Sequence, residues 1–163
     1  MTGHFDIMAV AFGAEGARPM QVAVSDFDGT MYTQRKLIGD ILPDIAAWRA
    51  AGNMFGIATG RDYQMIMHEV ERQGVPFDLI ICLNGGLVVD EAGNELHRHY
   101  LEDWLVPALV NHEAADASTH IQLSGGATTK VVLRADSWFS KVGIPFDSIS
   151  LEEALDLTGL GQI

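Results

Sequence analysis

The chain has 163 residues, 48% of them apolar and 20% charged, which suits one ordinary domain, or a small domain plus part of another, and excludes a disordered chain. With 22 acidic and 10 basic residues the formal charge is −12, so nucleic-acid phosphates and anionic lipid surfaces are poor partners. A small phosphorylated metabolite stays compatible, because a local metal ion and a few amide donors outweigh a distant negative field.

The elements follow in chain order. Within residues 1–20 an apolar patch, Ile7 to Phe12, adjoins acidic Asp6 with no basic region before it, so it reads as a leader of unknown structure and not as a signal peptide. Val22-Ala23-Val24 predicts a buried strand that runs out into the polar turn Ser25-Asp26-Phe27-Asp28-Gly29-Thr30. Pro43 opens a helix over Asp44 to Ala51 that stops at Gly52. Met54 to Ala58 predicts a second strand, ending at Thr59-Gly60-Arg61. Helical spacing of Tyr63, Ile66, Met67 and Val70 then covers Asp62 to Gln73, before Gly74. Leu79 to Leu83 predicts a third strand, ending at Asn84-Gly85-Gly86. It is strand-sized, far short of the roughly 20 apolar residues that cross a bilayer. Its Cys82 is the lone cysteine, which excludes an internal disulfide and suits a reducing cytoplasm.

Strand, helix, strand, helix, strand at this spacing predicts right-handed crossovers and a parallel sheet whose ligands gather at the carboxyl ends of the strands. All three polar clusters fall at those ends. After Gly86 the pattern changes to a hairpin over 87–100, a helix over Leu101 to about Ala117, and strands at Ile121 to Leu123 and Lys130 to Leu133 around the turn Ser124-Gly125-Gly126-Ala127. The expected organisation is a Rossmann-like parallel-sheet unit over 21–86, after the leader, and a different α/β unit over 87–163.

Asp26 and Asp28 lie two apart where a strand ends, so both carboxylates can face one site. A divalent cation relieves their mutual repulsion. One carboxylate can attack phosphorus and the other can carry a proton to the leaving alkoxide. Gly29 permits a sharp turn, and amides near Phe27 and Asp28 can cradle phosphate oxygens. Thr59-Gly60-Arg61, at a strand end that opens a helix, offers a hydroxyl, amides and a helix N-terminus to an anion.

Asp26-Phe27-Asp28-Gly29-Thr30, Ile57-Ala58-Thr59-Gly60-Arg61 and Ile81-Cys82-Leu83-Asn84-Gly85-Gly86, in this order, resemble the haloacid dehalogenase-like superfamily of phosphohydrolases, in particular its Cof-type branch. The resemblance covers Val22 to Gly86. It implies an α/β fold with a Rossmann-like parallel core and an α+β cap inserted after the third strand. It makes Asp26 the nucleophile and a magnesium ligand, and Asp28 the acid/base that also ligates magnesium through its main-chain carbonyl. Phe27, Gly29, Thr30, Thr59 and Gly60 would serve the phosphoryl group, and Arg61 and Asn84 the substrate side. A lysine that steadies the nucleophile and a late acidic pair are also implied by the family, and neither is evident. With a chain end that looks like a strand cut short, this suggests a fragment whose sheet exposes an edge and self-associates.

The expectation is therefore magnesium-dependent hydrolysis of a small phosphomonoester, such as a sugar phosphate, through an aspartyl-phosphate. The alternatives are a phosphomutase, and a non-catalytic module that binds phosphate or metal. Other signals read as structural: His97 and His99 alternate on a strand without a third ligand, and His112 with Asp116 reads as an exposed pair. Lys130 and Lys141 read as surface charges. Trp104, Leu105, Ala108 and Leu109 predict a core-facing stripe, and Trp138-Phe139 a packing pair or a substrate mouth.

Overall fold

The computed structural model describes residues 8–12, 19–125, 129–133, 137, 141 and 146–163. Its main element is a six-stranded sheet. In chain order the strands are β1 (Met8–Phe12), β2 (Met20–Asp26), β5 (Met54–Ala58), β6 (Leu79–Cys82), β7 (Leu87–Asp90) and β8 (Glu95–Arg98), and they lie side by side in that same order. A small hairpin, β3 (Tyr32–Thr33) with β4 (Lys36–Leu37), follows β2.

β2, β5 and β6 are mutually parallel, with Asp26 paired to Ala58 and Ala58 to Ile81, so three strand ends come level at one rim. Parallel neighbours need crossovers, and two helices supply them: α1 (Leu42–Ala50) between β2 and β5, and α2 (Tyr63–Gln73) between β5 and β6. α1 starts with Pro43 in its first turn, and α2 ends on Gly74 at φ 66, as proline-early and glycine-late spacing predicts. Ile45, Ile66 and Val70 from the helices bury with Phe55, Ile57, Ile80 and Cys82 from the strands in one cluster.

Several features differ from the sequence expectations. Met8–Phe12, within the expected leader, forms a strand antiparallel to β2, so the edge β2 would have exposed is paired. The hairpin β7–β8 does not begin a separate unit: β7 pairs antiparallel with β6, so the expected boundary after Gly86 falls inside the core sheet. The cause is a 3-10 turn, Leu83–Gly85, in which Leu83 and Asn84 have φ of 51 and 53, reversing the chain beside β6.

The helix expected over Leu101 to Ala117 is two short ones, α3 (Leu105–Val110) and α4 (Glu113–Asp116), separated where His112 caps the second by accepting the Ala114 N–H. The face that α3 buries carries Val106 and Val110, one turn apart, while Trp104 is 65% and Leu109 45% exposed. Trp104, Ala108 and Leu109 of the expected stripe are thus turned away from the core, and Leu105 is half-buried.

A second, three-stranded sheet follows: β9 (His120–Ser124), β10 (Thr129–Leu133) and β11 (Asp147–Ser148), with β10 at its centre. α5 (Leu151–Leu155) opens on a capping box between Ser150 and Glu153. Its Ala154 buries with Val106, Val110, Ile121, Leu123, Val132 and Leu160. Met65 of α2 packs on Val131 of β10, and Arg98 donates to the Gly125 carbonyl at 2.8 Å, so the two sheets are tied directly. Trp138-Phe139 lies outside the described residues. No helix among the described residues is long and apolar enough to cross a membrane.

Candidate active site

The level ends of β2, β5 and β6 border an open cleft of about 290 Å³ lined by Asp26, Ala58, Thr59, Gly60, Ile81, Asn84 and Gly85. Asp26 is the last residue of β2 and is exposed there. The loop after it turns tightly. Met31 and Tyr32 N–H groups both donate to the Phe27 carbonyl, at 3.0 and 2.9 Å, and Gly29, at φ 85, donates to the Tyr32 carbonyl at 2.8 Å. A side chain at Gly29 would be strained in this left-handed conformation. The turn brings the Thr30 hydroxyl back to donate to Asp26 Oδ2 at 2.8 Å, which fixes the carboxylate's direction.

Asp28 is gripped across the rim by Arg61. Arg61 Nε and Nη2 donate to its two oxygens at 2.8 and 2.6 Å, the two-pronged geometry that orients a carboxylate most firmly. The Asp28 side chain is 50% exposed and the Arg61 side chain 18%, so solvent reaches the pair from the aspartate side.

At the end of β5, the Thr59 hydroxyl accepts the Arg61 N–H at 3.1 Å, and the Thr59 N–H donates to the Ile81 carbonyl at 2.9 Å. Gly60 is exposed beside it. A Cβ on Gly60 would come within 3.1 Å of Asn84 Oδ1, so the glycine lets these two loops close on each other. Asn84 in turn donates its N–H to the Thr59 carbonyl at 3.2 Å.

A family model of the haloacid dehalogenase-like hydrolases matches residues 23–138, well over half of the chain. The chain belongs to the haloacid dehalogenase-like hydrolases. Among relatives of this kind, a Haemophilus influenzae protein provisionally named a phosphatase is 29% identical over 131 residues, covering 78% of this chain and 44% of its own length. A subclass IIB sugar phosphatase of the superfamily shares the fold with a TM-score of 0.69 at 18% identity, over 84% of this chain and 55% of its own. A phosphatase of the superfamily from Bacteroides thetaiotaomicron gives a TM-score of 0.63 at 20% identity, over 91% of this chain and 56% of its own. The chain thus spans about half the length of these relatives.

Within this haloacid dehalogenase-like site the residues singled out from sequence distribute unevenly. Asp26, Thr59, Gly60 and Asn84 line the cleft; Asp28 and Arg61 bind each other at its side; Gly29 and Thr30 shape the loop. The Phe27 side chain is fully buried, so this residue can meet a ligand only through its backbone.

The helix N-terminus expected to face an anion is already filled. Asp62, fully buried, caps α2 by accepting the Met65 N–H at 2.8 Å, which places a carboxylate where an anion would sit. Burial pushes the Asp62 carboxyl above the usual range, against the opposing pull of the Met65 N–H. Thr59 and Gly60 line the cleft beside this filled helix end. The Cys82 thiol nearby is pushed up to about 12 by its burial and by the Asp62 charge, so it stays a thiol at neutral pH.

His97 and His99 are exposed, and among the described residues no cluster of three or more histidine, cysteine or acidic side chains could hold a metal. Sequence reasoning passed over Tyr32 and Glu69, which lie behind the site. Their types suggest packing and a helix surface, and only the fold brings them together.

Proposed function

We propose that this chain carries the nucleophile and phosphate cradle of a phosphomonoester hydrolase acting on a small phosphorylated metabolite. The observation that carries this reading is the placement of the Asp26 carboxylate, steered by Thr30, at a cleft whose other walls are the Thr59-Gly60 loop and Asn84.

A phosphoryl group seated in the cleft accepts from the Thr59 hydroxyl, which keeps its own proton to donate while accepting the Arg61 N–H. Once Asp28 is freed from Arg61 and has taken a proton from solvent, Asp26 attacks phosphorus, the P–O bond to the alcohol breaks, and Asp28 gives that proton to the departing oxygen. Asp28 then takes a proton from water as that water attacks the aspartyl-phosphate, which regenerates Asp26 and releases phosphate. Arg61 must slacken its hold on Asp28 for these transfers, and an incoming phosphate oxygen competes for the same guanidinium.

Magnesium suits the donors present. The Asp26 carboxylate and the Asp28 main-chain carbonyl are hard oxygen donors, and magnesium commonly takes one or two carboxylates, keeps several waters and completes its shell with substrate phosphate. It would be held by these two aspartates and would supply charge neutralisation to the phosphoryl oxygens.

Phosphate release from a panel of phosphomonoesters, with and without magnesium, tests the reading. Asp26→Asn is expected to lower release by roughly three orders of magnitude or more, and Asp28→Asn by about two to four. Release indifferent to Asp26 contradicts it. A second reading, phosphate or magnesium binding without turnover, is favoured because the described residues hold no group of three or more histidine, cysteine or acidic side chains placed to complete a metal site. Calorimetric magnesium binding with no phosphate release from any substrate would establish that alternative.

A further inference from the structure

Behind the cleft, the Arg61 guanidinium rests on an aromatic surface. Its Nη1 is buried with no hydrogen-bond acceptor, while Nε and Nη2 are committed to Asp28. Cζ lies 5.4 Å from the Phe27 ring centroid and 5.5 Å from that of Tyr32, within the range of cation–π attraction. The two rings stack on each other, centroids 4.8 Å apart and planes 18° from parallel.

Tyr32 is held from the far side by α2. Its hydroxyl donates to Glu69 Oε2 at 2.7 Å and accepts from Arg72 Nη2 at 2.8 Å. Glu69 is 8% exposed, and although burial opposes its charge, the bonds from Tyr32 and Arg72 hold its carboxyl below the usual range. Arg72 Nη2 and Gln73 Nε2 also donate to the Arg35 carbonyl, at 3.0 and 3.2 Å. That carbonyl lies in the β3–β4 turn, where Gln34 and Arg35 have φ of 49 and 65, a conformation that non-glycine residues keep only when their surroundings enforce it.

We propose that Tyr32 is a positioning residue for the Arg61–Asp28 pair. Glu69 and Arg72, near the end of α2, fix its hydroxyl. Its ring stacks on Phe27, and the two rings, which lie 5.5 and 5.4 Å from Arg61 Cζ, together aim the arginine fork at the Asp28 carboxylate. The role in catalysis rests on the reading of Asp28 as the proton carrier, whereas the aiming itself is a property of the folded chain and is tested without turnover.

The test is solvent exchange of the Arg61 Nε–H, read by 15N NMR in the chain and in its Tyr32→Leu and Tyr32→Phe variants. Arg49 Nε–H, which donates to Asp78 at 3.0 Å in a similar two-pronged pair, serves as the internal reference. Loss of the ring in Tyr32→Leu is expected to speed Arg61 exchange about tenfold, as a partly desolvated cation–π contact implies. Tyr32→Phe keeps the stack and loses the hydroxyl bonds, so about a threefold rise is expected there. Arg49 exchange stays unchanged in both.

Arg61 exchange that is unaltered, or that rises in step with Arg49, overturns the proposal, since the second pattern is what a merely structural tyrosine produces. Should Tyr32→Leu not fold, Tyr32→Phe decides between a threefold rise and none. Phosphate release is a separate readout. If no Asp26-dependent release occurs while the exchange pattern holds, the hydrolase reading fails and the positioning role of Tyr32 stands.

Discussion

Two glycines show how closely individual residues are fitted. A Cβ on Gly56, in the middle of β5, would meet Leu79 Cδ1 at 2.8 Å, a side chain with some room to turn. A Cβ on Gly125 would meet the Gly159 carbonyl oxygen at 2.6 Å, a backbone atom that can move only with its loop. Gly56→Ala is therefore expected to cost about 1–2 kcal/mol, and Gly125→Ala about 3 kcal/mol or more, in urea unfolding. Equal costs would show that the Gly125 loop yields as readily as a leucine. Cys82 offers a second check. Fully buried and pushed up to about 12, its thiol should resist a thiol-specific reagent in the folded chain and react once urea unfolds it. Rapid labelling of the folded chain would contradict this placement.

The elements most legible in the sequence are those whose ends carry a local chemical signal. Pro43 and Gly74 mark α1 and α2, and Asp26, Thr59 and Asn84 mark the ends of successive parallel strands or the turn just beyond them. The cap of α2 was only half legible. Asp62 sits where a capping residue belongs, yet nothing local says that it is fully buried and excludes an anion from the helix end. The segment from 101 to 117 was misread because α3 is apolar on several sides. With Leu105, Val106, Leu109 and Val110 all apolar, periodicity cannot choose which pair turns inward, and packing against α5 and β9 chose Val106 and Val110. The Ser150 capping box of α5 is local and testable: Ser150→Ala should cost about 1 kcal/mol in thermal unfolding, and no cost would mean that the cap is replaced by water.

At the scale of the whole molecule, what escaped the sequence is which sheet each strand joins. The hairpin after Gly86 has the same pattern whether it starts a new unit or continues the old one, and the left-handed turn at Leu83 and Asn84 decides for the core sheet. Long-range charge pairs hold this arrangement together. Asp78 accepts from Arg49 at 2.7 and 3.0 Å and from the Phe55 N–H at 2.7 Å; these bonds overcome the burial that opposes its charge and lower its carboxyl, as Tyr32 and Arg72 lower Glu69. A carboxyl lowered in the folded state stabilises it above the unfolded value and ceases to do so as pH falls through the folded one. Stability should therefore decline from about pH 5 downward. Asp62, raised by burial, works in the opposite direction, and its contribution is present at low pH and lost as pH rises. Thermal unfolding across this range checks the balance: Asp78→Asn should flatten the acid decline, and an unchanged slope would assign it to other groups.

The central claim is that Asp26 becomes phosphorylated, and acid-quenched labelling tests it most directly. The chain is mixed with a phosphate-labelled phosphomonoester and magnesium, quenched, and the label is mapped to a peptide. The account predicts an acyl phosphate, cleaved by hydroxylamine, on the peptide containing Asp26 and absent from Asp26→Asn. Label on a serine or histidine, or label that persists in Asp26→Asn, would contradict it.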